Sequence, residues 1–207
     1  MREVAAQQSR HQACTGVPRW VARRARKDKE RVSPMTTLIG DLNGKTALIT
    51  GATKGVGAAI ALQFAAAGAR VIVSGRHAER GKQVETTIRD RGGAALFVPI
   101  DLSIEEQVRT GIDTAVQHYG SLDILVNNAA PTDVVLGGDG AAGDLRTNQL
   151  MSILTPGLIG QFWACRYSLP HLIANPTSAI INISAAASKT VYPKPPATAS
   201  ARARLTR

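Results

Sequence analysis

Apolar residues in this chain fall into short unbroken blocks separated by longer stretches in which apolar and polar positions recur every three or four residues. Lys45–Thr50, Arg70–Ser74, Ala95–Ile100, Leu122–Asn127 and Ala179–Ser184 each hold three or four consecutive apolar residues, the pattern of strands covered on both faces. Val56–Ala67, Ala78–Arg91, Ile104–Tyr119 and about Leu158–Ala174 carry the helical spacing. Ser103 with Glu106 three residues on predicts a capping box at the third helix, and Gly68, Gly92 and Gly120 predict helix ends. Strands alternating with helices require a parallel sheet, and right-handed crossovers then give a doubly wound α/β fold. Segment 131–157 breaks the pattern. With four glycines within seven residues and two prolines, it predicts a mobile loop with at most a short helix.

Charge divides the chain in the same way. The net charge of +10 looks at first like the mark of a polyanion binder. Residues 1–34 carry nine basic against three acidic side chains, 35–187 eleven against twelve, and 188–207 five against none. The patterned middle is therefore almost neutral. Residues 1–41 are expected to be a basic, disordered extension and 188–207 a basic Pro/Ala/Arg-rich tail, flanking a domain over 42–187. Met35 reads as a more natural domain start than Met1. Nucleic-acid binding through the tails by counterion release ranks last among the functions considered. The N-terminal segment has no apolar core of a secretory signal, and no apolar run is long enough to span a membrane. Cys14 and Cys165 have neither metal nor redox spacing. A reducing, cytoplasmic setting is expected.

The first strand runs into 50-TGATKGVG-57 and then a helix. Strand, glycine-rich turn and helix N-terminus together make a dinucleotide-binding turn. Gly51 permits the tight exit, Gly55 lets the backbone approach a pyrophosphate, and Gly57 lets the helix pack closely. Unpaired N–H groups and the positive helix end favour the phosphates. The second strand ends in Ser74-Gly75-Arg76, where an acidic residue would take the ribose hydroxyls of NAD. Arg76 with Lys54 can instead pair with a 2′-phosphate, so NADP(H) is favoured over NAD(H).

These residues resemble the TGxxxGxG motif of the short-chain dehydrogenase/reductase family. Asp101-Leu102 after the third strand and 127-NNAA-130 after the fourth match two further family elements. The resemblance covers about residues 42–187 and implies a Rossmann-type doubly wound sheet, here incomplete at the C-terminus. It implies that Gly51, Thr53, Lys54, Gly55, Val56, Gly57 and Arg76 hold the dinucleotide. Asp101 with Leu102 would reach the adenine, and Asn128 with Ala129 would lie along a ribose. No metal is implied. The stretch 162-FWACRYSLPHLI-173 resembles the family's dimer helix, which makes a homo-oligomer an expectation, though with an incomplete interface.

Family members move a hydride between the nicotinamide and a carbonyl or alcohol. The resemblance assigns proton exchange to a tyrosine, support of that tyrosine to a lysine, substrate orientation to a serine and a water relay to an asparagine. Each matching position has changed: Gly157 for the asparagine, Ala185 for the serine, Thr198 for the tyrosine and Arg202 for the lysine. Ser184 sits one residue early, and a one-residue slip in a strand turns a side chain to the other face. An aliphatic hydroxyl has a pKa far above a phenol's roughly 10, so Thr198 supplies no tuned acid. Tyr192, in the extended YPKPP, has no lysine four residues on and is not expected to replace it. The family continues beyond this point, and the fifth strand is expected to be an exposed sheet edge. Two readings follow: an NADP-dependent oxidoreductase on an unidentified small carbonyl or alcohol with doubtful turnover, or a non-catalytic NADP(H)-binding relative, including a truncated product.

Overall fold

The computed structural model describes residues 40–131 and 146–184. In chain order the elements are β1 (Thr46–Ile49), α1 (Gly55–Ala66), β2 (Arg70–Gly75), α2 (Ala78–Asp90), β3 (Ala94–Pro99), α3 (Glu105–Tyr119), β4 (Ile124–Asn127), α4 (Thr147–Leu154), a π-helical turn (Thr155–Ile159), α5 (Gly160–Ile173) and β5 (Ala179–Asn182). The strands form one parallel sheet in the order β3-β2-β1-β4-β5. This is the doubly wound, Rossmann-type arrangement that the alternation of strands and helices predicts.

Period-two alternation sends neighbouring strand residues to opposite faces, and both faces are covered. Leu48, Ile72 and Leu125 pack with Val108 and Ile112 of α3 and with Ala164 and Leu172 of α5. Ala47, Ile49, Val71, Val73 and Val126 pack on the other side with Ala61 of α1 and Ile88 of α2. Strands apolar on every residue are stable only in such a sandwich. The edge strand β5 differs: all its residues are exposed, Ile180 and Ile181 at 38% each.

At the N-terminal ends of the central strands, Asp123 is almost wholly buried. Its carboxylate accepts from Thr46 N at 2.8 Å and from the side chains of Ser121, Lys45 and Asn175. Its own N–H donates to Thr46 O, and its carbonyl accepts from Ala179 N. One residue, by its carboxylate and its backbone groups, thus ties β1, β4 and β5 together at the end opposite the cleft described below.

Three predicted details change. The Ser103–Glu106 capping box does not form: Ile104 is the N-cap of α3, with no side-chain cap bond. Asp101 Oδ1 takes both the Ser103 hydroxyl (2.6 Å) and Ser103 N (2.9 Å), while Glu106 pairs with Arg109. The Asp101 carboxylate holds Ser103 by both its N–H and its hydroxyl in a turn ahead of the helix, so the hydroxyl oxygen is not placed to accept from the Glu106 N–H as a cap would. The second concerns the last helix, expected from about Leu158: residues 132–145 are outside the described part, and the short helix allowed within 131–157 is α4, which runs on through the π turn into α5 without a break. Gln149 Oε1 accepts from Arg146 N and starts α4. Pro156 has no N–H to give to a regular ladder, and the widened turn passes over that gap, with Gly160 N reaching Thr155 O. Third, β5 ends at Asn182, two residues short of the predicted strand. Gly68, Gly92 and Gly120 close their helices at positive φ as predicted.

Candidate functional site

The sheet changes direction between β1 and β4, which are neighbours although three helices and two strands separate them in sequence. A crevice outside the carboxyl ends of the strands is expected at such a point, and a cleft of about 860 Å³ occupies it. All the residues assigned to dinucleotide contact from sequence line this cleft: Gly51, Thr53, Lys54, Gly55, Val56, Gly57, Arg76, Asp101, Leu102, Asn128 and Ala129.

The glycine turn is shaped by close approach. Gly51 has φ +66°, and a β-carbon there would stand 2.8 Å from Ala129 Cα. A β-carbon on Gly57 would collide with Gly51 O and lie 2.5 Å from Asn128 Nδ2. Neither position admits a side chain. The first N–H groups of a helix have no partner within it, and the first residues of α1, Gly55, Val56 and Gly57, line the cleft.

Asn128 and Ala129 form the floor against this turn. Thr50 Oγ1 accepts from Asn128 N at 3.0 Å and from Ala129 N at 3.1 Å, and donates to Val126 O. Asn128 Nδ2 donates to Thr50 O and Gly51 O. Asn128 therefore spends its amide hydrogens holding the turn. The carbonyl of Ala129 accepts from Gln161 Nε2 of α5. Gln161 is buried, and nothing in the local sequence pattern marked it.

At the other end of the turn, Ala52 N donates to Ser74 O, which seats the loop on the end of β2. Lys54, Arg76 and His77 line the cleft there, a basic group with Asp101 as its acidic neighbour. Asp101 serves the turn before α3, since its N–H donates to Gln107 Oε1 and its Oδ1 holds Ser103. Among the described bonds Oδ2 has no part in that turn.

Behind the floor, Asn127 Nδ2 donates to Cys165 Sγ and to Asn182 Oδ1 across the β4–β5 pair. Burial pushes the Cys165 thiol above its ordinary value, with the Asn127 bond opposing. This thiol is not a poised nucleophile.

Of the positions that correspond to catalytic residues, Gly157 is buried in the π turn, and a β-carbon there would make ordinary contact with Pro131, 3.5 Å away. Ala185, Thr198 and Arg202 lie outside the described residues, as does Tyr192. Ser184 lines the cleft with Ile183. Alternation within β5 had placed it on the other face. The strand has already ended at Asn182, so alternation no longer decides its direction. Among the described residues no cluster of His, Cys, Asp and Glu could hold a metal, and no helix is long and apolar enough to cross a membrane.

Residues 45–205 match the sequence family described as short chain dehydrogenase. The chain is 31% identical over 156 residues to a 3beta-hydroxysteroid dehydrogenase of Mediterraneibacter gnavus, covering 75% of this chain and 55% of that protein. It is 33% identical over 147 residues to glucose 1-dehydrogenase 2 of Bacillus subtilis, covering 70% and 55%. A crystal structure of a metagenomic short-chain oxidoreductase in complex with NADP superposes with a TM-score of 0.71 at 30% identity, covering 78% of this chain and 71% of that one. The chain spans about half the length of the curated relatives it matches.

Proposed function

The chain belongs to the short chain dehydrogenase family, and from that premise we propose that its cleft holds a nicotinamide dinucleotide, with the 2′-phosphorylated form preferred. The observation that carries this reading is the bare glycine turn. Gly51 and Gly57 lie where any β-carbon would strike backbone or the Asn128 side chain, and the helix behind them offers unpaired N–H groups. Arg76 and Lys54 at the rim of the same cleft favour an added phosphate over a bare hydroxyl. The solved relative in complex with NADP supports the same choice.

A bound dinucleotide supplies the hydride that members of the family exchange with a carbonyl or alcohol. The residues of this chain supply binding and orientation. Gly157 and Ala185 have no polar side chain, Thr198 has only an aliphatic hydroxyl, and Arg202 stays protonated. Loss of a positioned general acid costs about 10²–10⁴ in rate, so turnover by this chain is slow or absent. The exposed Phe162, Leu169 and Ile173 on α5 suit the homo-oligomeric contact that the family resemblance implies, and a reducing cytoplasm suits the free thiol.

Titration of the protein with NADPH and with NADH, followed by the fluorescence of the reduced nicotinamide, tests the reading. Saturable binding with NADPH tighter is expected, with no consumption of NADPH over a panel of aldehydes and ketones. Absence of binding by either dinucleotide removes the reading, and tighter NADH removes its phosphate part. Steady turnover of a panel member removes the claim of lost catalysis.

A further inference from the structure

An acidic residue at the end of β2 would decide between the two nicotinamide dinucleotides, and position 75 stands there. Gly75 ends β2 and does not sit at positive φ, so its backbone could carry any side chain. The space above it is closed. A β-carbon at 75 would stand 2.8 Å from Thr53 Cγ2, while Thr53 Oγ1 and Cβ lie at 3.6 and 3.8 Å. One methyl group makes the whole obstruction.

Thr53 cannot easily yield. It is buried, a β-branched side chain has few rotamers to retreat into, and the bond from Ala52 N to Ser74 O at 2.9 Å fixes the turn to the strand end. We infer that Thr53, through its methyl group, keeps position 75 free of a side chain and thereby sets which ribose 2′ substituent the cleft accepts. A carboxylate at 75 would accept from ribose hydroxyls and repel a 2′-phosphate. With Thr53 in place that carboxylate has no room, and the 2′ corner is left to Arg76 and Lys54. The specificity role rests on the dinucleotide reading of the cleft; the steric contact does not.

The test places Gly75→Ala and Gly75→Asp in the parent chain and in a T53S background, which removes only Cγ2. Melting reads the contact without any ligand. G75A lowers the midpoint by about 4 °C in the parent and by less than half that in the T53S background. Fluorescence titration then reads specificity. G75D alone weakens both NADPH and NADH by about tenfold or more, whereas the double variant T53S/G75D binds NADH at least about tenfold tighter than G75D does and prefers it to NADPH. Equal midpoint losses in the two backgrounds overturn the assignment. So does G75D preferring NADH as strongly alone as in the double variant. A parent that binds neither dinucleotide overturns the cleft reading and the specificity role with it, while the melting comparison still decides the contact.

Discussion

Gln161 Nε2 donates to Ala129 O at 3.0 Å, so a buried side chain of α5 holds the carbonyl of a residue whose N–H is already bound by Thr50 of the glycine turn. Both backbone groups of Ala129 are thus fixed by side chains from different elements. Gln161→Leu removes the donor and leaves the carbonyl without that partner, at a cost of about 1–3 kcal/mol. Gln161→Glu costs more, because an ionised carboxylate only accepts and faces another acceptor. Urea unfolding checks both variants, and dinucleotide affinity is expected to fall about tenfold. A leucine variant as stable as the parent would show that the bond contributes nothing.

Arg76→Ala and Lys54→Ala separate phosphate recognition from general binding. Each is expected to weaken NADPH by about 10–100-fold, the size of a charge-assisted hydrogen bond, while NADH changes by less than about threefold. The NADPH loss shrinks at high salt, because the cleft rim is open to solvent. Equal losses for both dinucleotides would place these cations away from the 2′ position.

Asp123→Ala leaves the N–H of Thr46 and the amide of Asn175 without their acceptor. The expected loss is about 3 kcal/mol in unfolding free energy, read from the urea midpoint. Asp123→Asn keeps the shape but turns a donor towards one of these groups, and is expected to fall between the alanine variant and the parent.

Stability falls at alkaline pH. Burial raises the Cys165 thiol and the Tyr119 phenol above their ordinary values. A raised folded-state value means that the unfolded chain gives up its protons first. The stabilising contribution is complete below the ordinary thiol value of about 8.5, declines as pH rises past it and past about 10 for the phenol, and is gone once the folded groups also ionise. Urea midpoints measured from pH 7 to 11 check the slope. Cys165→Ser is expected to flatten its lower part; an unchanged slope would remove the thiol from the account.

Element positions were legible because each rests on a local signal. Apolar blocks marked the strands, and Gly68, Gly92 and Gly120 marked helix ends by their freedom at positive φ. The cleft residues were legible as well, since the glycine turn and NNAA sit at fixed places on the strands that carry them. What escaped depended on partners distant in sequence. Ser103 has the right neighbours for a cap, but Asp101 holds it in a turn one residue ahead of the Ile104 N-cap. Gln161 looks like any polar residue between apolar ones until α5 is folded under Ala129. The contact of Thr53 with Gly75 joins residues that no periodicity links. A short helix before Leu158 was allowed for, but its continuity with α5 was hidden by Pro156, which the π turn accommodates.

The hydroxyl of Thr50 has a further consequence. It donates once and accepts twice, which exhausts its bonding capacity. Thr50 is itself buried, so the hydroxyl has nothing left to offer a solvent molecule and acts from beneath, setting the contour of the floor that Asn128 and Ala129 present.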